Sequence, residues 1–146
     1  MSRTVGDITR NRKEVYSVSN QMSVAEAARY LKDRGIRAAG VCNLSGKIVG
    51  VISQSDISDK IVAENHRPSE VQVQSVCSSG IVKVTPETAI TTAMQIMREK
   101  GMYHLAVENI IGEFLGMISL RDCMAVVAEQ ERERADMYKE YAFPRY

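Results

Sequence analysis

The sequence has no apolar run close to the roughly 20 residues that a membrane-spanning helix needs. Its first residues, Met1–Asp7, lack the apolar core of a secretory signal peptide. The three cysteines, Cys42, Cys77 and Cys123, lie far apart and form no CxxC pair. That pattern favours free thiols in a reducing compartment over a disulfide framework. We therefore expect a cytoplasmic protein with no membrane partner.

An excess of charge of one sign is also missing, because 19 Lys and Arg residues stand against 18 Asp and Glu residues. This balance argues against a nucleic-acid partner held by a broad basic face. No Walker loop, GxGxxG fingerprint or Ser-His-Asp order is present. No cysteine or second histidine lies at metal-ligand spacing from His104, so we interpret His104 as structural or pocket-lining. We predict no enzyme activity, no catalytic residues, no metal site and no required cofactor.

What the sequence does contain is an internal repeat. A shift of 66 residues places Val18–Ile61 on Val84–Val127 without a gap, and ten of the 44 paired positions are identical. Most other pairs keep their chemical class. A duplicated unit packs as a pseudo-symmetric pair, and such a pair forms a cleft at its own interface. The functional question is therefore what this cleft binds.

Each copy begins with an amphipathic helix, predicted over Ser23–Arg34 in the first copy. The apolar residues recur at helical spacing in both copies: Val24, Ala27, Ala28 and Leu31, then Ile90, Ala93, Met94 and Met97. Gly35 and Gly101 follow the last periodic residue, where a helix end favours left-handed backbone. Pro86 and Glu87 are suited to the first turn of the second helix.

Two short apolar runs joined by a glycine turn follow each helix and predict a hairpin. These runs are Ala38–Cys42 and Ile48–Ile52 in the first copy, and Leu105–Val107 and Phe114–Ile118 in the second. Gly50 and Gly116, inside the second strands, indicate a bulge or a close backbone approach. A second helix then begins at Ser53 or Ser119. A unit of about 45 residues can hardly bury its apolar face alone, so the copies should pack together.

A similar segment precedes each copy. Val5–Ile8 resembles Val73–Val76, and we call these segments the first and second lead-ins. In the connector Ala63–Gly80, Val71, Val73 and Val76 are separated by polar residues, which predicts that part of it, including the second lead-in, is an extended edge segment. The first lead-in is expected to be extended in the same way.

The identical residues cluster in the motif Gly-x-Ile-Ser-x-x-Asp, at Gly50–Asp56 and Gly116–Asp122. One interpretation is a helix cap, in which serine accepts a free N–H and the acid favours the positive helix end. The other is a nucleotide site, because free N–H groups at a helix start suit phosphate. The aspartate can then accept ribose hydroxyls, as an acid does in dinucleotide folds. Arg121 can pair with phosphate as a planar fork.

These motifs make the chain resemble the CBS domain family, named after cystathionine β-synthase. The segment Gly101–Val107 also looks like that family's usual Gly-Ile-Arg-His-Leu-Pro-Val. The resemblance covers about residues 1–128. It implies an α+β fold of two βαββα repeats packed as a pseudo-twofold pair, with a C-terminal helical extension. The implied domains are residues 1–66 and 67–128, each repeat with its lead-in, and a helical tail over residues 129–146.

The resemblance also implies a role. Members of the family bind AMP, ADP or ATP, with NAD-type cofactors or S-adenosylmethionine as less favoured ligands. Carried over, phosphate contacts fall on Ser53, Ser119 and Arg121, and ribose contacts on Asp56 and Asp122. The implied walls of the base pockets come from the strand starts and the lead-ins: Ile36, Arg37, Ala38, Met102, Tyr103, His104, Thr9, Arg10 and Ser78. The two sites are predicted to bind unequally, because the second repeat has Arg121 and His104 where the first has Ser55 and Ala38. The Ser119–Asp122 site is the favoured one.

The resulting hypothesis is a non-catalytic sensor that binds an adenine nucleotide, forms a homodimer and acts on a separate effector protein. The alternative is a structural protein-interaction module without a small-molecule ligand. The basic run Arg10–Lys13 is either a solvated loop or an electrostatic aid to phosphate binding. Glu129–Lys139 should extend the last helix, and Met137, Tyr138 and Tyr141 form an apolar patch that could contact the second subunit.

Overall fold

The computed structural model describes residues 3–142, with side chains for residues 3–140. Within that range a short helix, α1 (Val5–Thr9), precedes two βαββα units. The first unit consists of β1 (Ser17–Ser19), α2 (Val24–Arg34), β2 (Ala38–Cys42), β3 (Ile48–Ser53) and α3 (Gln54–Ile57). The second consists of β4 (Lys83–Val84), α4 (Ile90–Lys100), β5 (His104–Glu108), β6 (Phe114–Ser119) and α5 (Leu120–Ala142). The predicted α+β class and the two βαββα repeats are confirmed.

Each unit has a three-stranded sheet with the same strand order. β1 pairs with β2 in parallel and β2 with β3 antiparallel, and β4, β5 and β6 repeat this arrangement. Both hairpins shift register after the same paired residues, Val41 with Gly50 and Val107 with Gly116. The bulge predicted at these glycines is therefore confirmed in both copies.

The helix ends follow the local sequence in most places. The Oγ of Ser23 accepts the N–H of Glu26 at 3.2 Å and caps α2. Gly35 and Gly101 adopt φ values of 63° and 64°, so both predicted left-handed helix ends are confirmed.

The predicted start of α4 is wrong, because Pro86 and Glu87 precede the helix, which begins at Ile90. The N–H of Thr88 donates to the carbonyl of Thr85 at 3.1 Å, so this segment forms a separate turn. The carbonyl of Pro86 accepts an N–H from the first lead-in instead of a helical bond. A tertiary contact thus replaces the first helical turn that the residue types favour.

The lead-ins are exchanged between the two units. The contacts are equivalent backbone bonds: Val5 N–H to Thr88 O (2.8 Å), Gly6 N–H to Pro86 O (2.8 Å), Val73 N–H to Met22 O (2.8 Å) and Gln74 N–H to Asn20 O (2.9 Å). Each lead-in therefore precedes one repeat in sequence and packs on the other. The division at residues 66 and 67 remains a prediction about the sequence repeat.

The prediction of an extended conformation is wrong for the lead-ins themselves, although Gln72 and Ser78 on either side of the second one form single antiparallel bridges with Ser23 and Val51. Val5–Thr9 is α-helical and Val73–Ser75 is a turn of 3₁₀-helix. Asp7 stabilises the first turn, because its Oδ2 accepts the N–H of Thr4 at 2.8 Å. The N–H of Cys77 donates to the carbonyl of Val73 at 2.9 Å, so the second lead-in also bonds to itself. The valines follow helical spacing because a short helix buries one face against the other unit.

Two apolar cores lie between the sheets and the helices, one for each unit. The exchange is visible in both, since Val5 is buried in the second core and Val73 in the first. The sheets meet at Gly40, where a Cβ would lie 2.6 Å from the ring of Phe114. A glycine on one sheet thus makes room for an aromatic ring on the other.

The last helices of the two units differ in length. α3 continues as one π-helical turn, Ser58–Val62, whereas α5 runs for 23 residues to Ala142. The predicted helical tail is confirmed as far as the structure describes it. Arg3 bonds both carboxylate oxygens of Glu133, at 2.9 and 3.2 Å, and ties the start of the chain to the tail.

Met137 and Tyr138 are exposed on the tail, whereas the side chain of Tyr141 and residues 143–146 lie outside the described part. Among residues 3–142, no helix combines the length and the apolar character that crossing a membrane would require.

Candidate functional site

The second Ser-x-x-Asp motif lies where β6 passes into α5. The N–H of Asp122 donates to the Oγ of Ser119 at 3.0 Å, and the N–H of Ser119 donates to the Oδ2 of Asp122 at 2.8 Å. These two bonds form a capping box, so the helix-cap interpretation describes this motif correctly. The carboxylate nevertheless stays 34% exposed. We call Ser119–Asp122 and its neighbours the second site.

The first motif has the same cap where β3 passes into α3. The N–H of Asp56 donates to the Oγ of Ser53 at 3.2 Å, and the N–H of Ser53 donates to the Oδ2 of Asp56 at 2.9 Å. The other oxygen, Oδ1, lies 3.2 Å from the Nζ of Lys60, and only 12% of the Asp56 side chain is exposed. We call Ser53–Asp56 and its neighbours the first site.

The strand starts that were predicted as pocket walls do lie beside the motifs. His104 pairs with Ser119 across the second hairpin, and Ala38 pairs with Ser53 across the first. The N–H of Leu120, the first residue of α5, donates to the carbonyl of Tyr103 at 2.9 Å. The equivalent bond in the first unit runs from the N–H of Gln54 to the carbonyl of Arg37 at 2.9 Å. Met102 and Ile36 precede these residues directly.

An arginine absent from the predicted set completes the second site. The Nη2 of Arg12 lies 2.9 Å from the Oδ2 of Asp122, and its Nη1 donates to the carbonyl of Met117. Arg12 follows the first lead-in, so the exchange of lead-ins brings it to the other repeat. Its Nη1 packs beside Gly116, where a Cβ would lie at the contact distance of 3.4 Å. The sequence indicated the basic run Arg10–Lys13 as a possible aid to phosphate binding but did not identify Arg12 within it.

Lys60 was also missed. Its Nζ contacts Asp56 and donates to the carbonyl of Val76 at 2.8 Å, so it joins the first site to the second lead-in. The spacing of four residues between Asp56 and Lys60 on one helix could have identified this pair.

The remaining predicted site residues do not all lie at the two motifs. Ser78 exchanges two backbone hydrogen bonds of 2.9 Å with Val51, so it lies against the first site. Thr9 and Arg10 line a separate cleft of about 440 Å³, whose walls include Pro86 and Leu115 but neither member of the second motif. Arg10 pairs with Asp7 on its own helix. The side chain of Arg121 is exposed and makes no ion pair with the described residues.

The CBS domain family model matches residues 5–63 and 73–129, which is most of the chain. This protein belongs to the CBS domain family. The two matched segments include both lead-ins and both Ser-x-x-Asp motifs, so the tandem CBS pair corresponds to the two βαββα units, and α5 continues beyond it to Ala142.

Several proteins are similar to this chain in sequence or in fold. An uncharacterised 17.7 kDa protein of Acidianus ambivalens is 29% identical over 109 residues, which cover 75% of this chain and 65% of that protein. The structure of a Burkholderia ambifaria protein with CBS domains matches with a TM-score of 0.76 and 26% identity, over 87% of this chain and 96% of that one. A Pyrobaculum aerophilum CBS protein complexed with AMP matches with a TM-score of 0.72 and 21% identity, over 82% and 88%.

Two clefts border the CBS motifs at equivalent positions. The larger, about 590 Å³, lies between α4 and the start of α5, and is lined by Met94, Met97, Met102, Tyr103 and Leu120 among others. The smaller, about 450 Å³, is lined by the residues 66 positions earlier, including Ile36, Arg37 and Gln54. Of the walls that the resemblance assigned to the base pockets, Ile36, Arg37, Met102 and Tyr103 line these clefts, whereas the Ser and Asp of each motif do not.

The electrostatics of the sites follow from burial and neighbouring charge. Protein packed around the ring lowers the pKa of His104, and the negative charge of Asp122 partly offsets this. Burial raises the pKa of Cys77, beside the first CBS motif, and Asp56 raises it further. Burial raises the pKa of Cys123 to about 11. Among the described residues, no group of three or more His, Cys, Asp or Glu side chains could hold a metal ion.

Proposed function

We propose that this CBS pair is a non-catalytic regulatory module that binds an adenine nucleotide of the AMP, ADP or ATP class. The observation that carries the proposal is the convergence at the second site. A helix start, a partly exposed carboxylate and the guanidinium of Arg12 come from two different repeats and meet within hydrogen-bonding distance.

The chemistry of a nucleotide matches these groups. The positive end of the α5 helix dipole favours an anion such as phosphate, even with the N–H groups of Leu120 and Asp122 bonded within the protein. Arg12 and Arg121 supply positive charge nearby. Asp122 can accept ribose hydroxyls because part of its carboxylate faces solvent. The complex of the Pyrobaculum relative with AMP supports the same ligand class for this chain.

The second site is the better candidate of the two. Asp56 is more deeply buried than Asp122, and Lys60 contacts the oxygen that Ser53 leaves free. A ribose would have to displace that lysine at the first site. We therefore expect tight binding at the second site and weaker binding at the first.

A homodimer is part of this proposal. Leu120 lines the larger cleft, and Met124, one turn further along α5, is 55% exposed. A second copy of the chain would cover such a surface and could bring in the tail with Met137 and Tyr138. Nucleotide binding would then alter a surface that a separate effector protein recognises, to the extent that the ligand prefers one conformation.

Titration calorimetry with AMP, ADP, ATP, NAD and S-adenosylmethionine tests the proposal. The Asp122→Asn variant keeps an oxygen for the Ser119 N–H but loses the charge, and Asp56→Asn is its match in the other repeat. We expect Asp122→Asn to weaken adenine-nucleotide binding about tenfold or more, a loss typical of a charged hydrogen bond. Asp56→Asn should change the tighter binding step much less.

The alternative function is a structural interaction module without a small-molecule ligand. The complete capping boxes at both motifs favour it, because they explain Ser-x-x-Asp without any ligand. Absence of heat with every nucleotide would support this alternative and overturn the sensor proposal.

A further inference from the structure

Arg12 holds the carboxylate that a ribose would need. The Oδ2 of Asp122 accepts the N–H of Ser119 at 2.8 Å and lies 2.9 Å from the Nη2 of Arg12, so its two lone pairs are occupied. In the part of the chain that the structure describes, Oδ1 has no hydrogen-bond partner. A ribose offers two neighbouring hydroxyls, and a contact of one hydroxyl with each carboxylate oxygen requires Oδ2, which Arg12 and Ser119 occupy.

The entry of a ribose therefore competes with Arg12. The Arg12 side chain is 28% exposed and Asp122 34%, so the ion pair is partly shielded from solvent and its loss must be compensated. A neutral nucleoside brings no charge that could compensate the guanidinium. A nucleotide brings a phosphate, to which a guanidinium can donate two parallel hydrogen bonds.

We propose that Arg12 makes the second site selective for phosphate-bearing ligands by leaving Asp122 for the phosphate when the nucleotide binds. This inference rests on the proposed nucleotide binding at that site. Arg12 is then a specificity-determining residue supplied by one lead-in to the motif of the other repeat.

The position of Arg12 suits this exchange. Its backbone follows α1, where the N–H of Arg12 donates to the carbonyl of Thr9 at 3.2 Å. Its second contact, with the carbonyl of Met117, involves no charged partner. The guanidinium can therefore turn from the carboxylate towards a phosphate bound near the start of α5 without breaking a second ion pair.

The test compares AMP with adenosine, which differ only by the phosphate, by calorimetry on the full chain. We expect the wild type to bind AMP at least about tenfold more tightly than adenosine, the worth of one charge-assisted contact. In the Arg12→Gln variant, the affinity for AMP should fall about tenfold, whereas the affinity for adenosine should stay the same or rise. Arg29→Gln removes the same charge from an exposed side chain of α2, outside the basic run, and should leave the ratio unchanged.

The outcomes separate this inference from the proposed function. If the wild type binds no adenine nucleotide, the proposed function itself fails. If the wild type binds AMP but Arg12→Gln weakens AMP and adenosine by the same factor, Arg12 only shapes the site and the inference is wrong.

A second measurement covers the case in which Arg12→Gln does not fold. Arginine side-chain NMR of the wild type, assigned with Arg12→Lys, should show the Arg12 signal shifting on addition of AMP and losing its protection from exchange on addition of adenosine. The same response to both ligands would overturn the inference.

Discussion

The two Ser-x-x-Asp motifs of this protein have the same cap but different partners for the carboxylate. At the first site Asp56 is bound by Lys60 from its own helix, and only 12% of its side chain is exposed. At the second site Asp122 is bound by Arg12 from the other repeat and stays 34% exposed. Identical motif residues thus specify the helix start, whereas residues outside the motif decide how accessible the acid is.

The lead-ins differ in the same way. The second lead-in places the backbone of Ser78 against Val51, and a Cβ on Gly50 would lie 2.5 Å from the Ser78 carbonyl oxygen. At the equivalent strand position of the second repeat, the side chain of Arg12 reaches Met117 instead. A rigid backbone contact lines one site and an arginine that can exchange partners lines the other.

The largest expected effect concerns the thiols beside the two sites. Cys123, which follows Asp122, is fully buried with a pKa of about 11, so little thiolate forms at pH 8. Cys77, beside the first site, is half-buried. In a Cys42→Ser background we expect an alkylating reagent to modify Cys77 at least about a hundredfold faster than Cys123. Peptide mass spectrometry over time measures both rates.

The same labelling separates the sites. Nucleotide bound only at the second site should leave the rate at Cys77 unchanged, whereas filling of the first site should slow it. Protection of Cys77 at the lowest saturating nucleotide concentration would contradict the expected order of affinities.

A methyl group at Gly50 tests how tightly the second lead-in is held. Gly50→Ala places its Cβ against the carbonyl of Ser78, a backbone atom that cannot move independently, so we expect a loss of about 2 kcal/mol in unfolding free energy. Gly80→Ala is the matched control, because a Cβ there meets no atom within 4 Å. Urea unfolding compares the two variants, and equal stabilities would show that the lead-in is loosely docked.

Grafting residues of the second site onto the first should reduce the difference between them. Ser55→Arg combined with Lys60→Val introduces the equivalents of Arg121 and Val126, and releases Asp56 from its lysine. We expect nucleotide affinity at the first site to rise about tenfold, by the contribution of a charged contact. In calorimetry the wild type should show one tight step and the graft two. An unchanged titration curve would mean that Lys60 does not limit the first site.

The smallest effect concerns the last helices. Glu133→Gln removes the ion pair with Arg3, whose partners are 40% and 56% exposed, so the loss of stability should stay below about 1 kcal/mol. Hydrogen exchange should quicken in residues 129–140 and stay unchanged in the π-helical turn Ser58–Val62 of the first unit. Faster exchange throughout the chain would show that the tail supports the core.

Much of the fold follows from local sequence. Gly35 and Gly101 mark the left-handed helix ends, and Gly50 and Gly116 mark the bulges, because each position needs backbone freedom or space that other residues lack. The hairpins and helices follow from apolar periodicity. Pro86 and Glu87 gave a wrong helix start, because the carbonyl of Pro86 accepts an N–H from the distant first lead-in. Helix propensity depends on nearby residues and does not include such a contact.

The candidate sites were less predictable. Ser53, Asp56, Ser119 and Asp122 stand out because the repeat duplicates them. Arg12 has no such signal, since it lies in a run of cations and contacts a residue 110 positions away. Lys60 has only its helical spacing from Asp56. Their nucleotide-binding roles, and those of Thr9, Arg10 and Arg121, stay predictions.

The sequence by itself determined the two units, their caps and their turns, because hydrogen bonds within a few residues and periodic apolar faces specify these features. Only the tertiary structure decided that each lead-in packs on the other repeat. Val5 and Val73 are equally apolar, so their sequence does not say which of the two cores buries them. That exchange places Arg12 on Asp122, whereas Asp56 meets Lys60 from its own helix, so residues outside the identical motif make the two sites different.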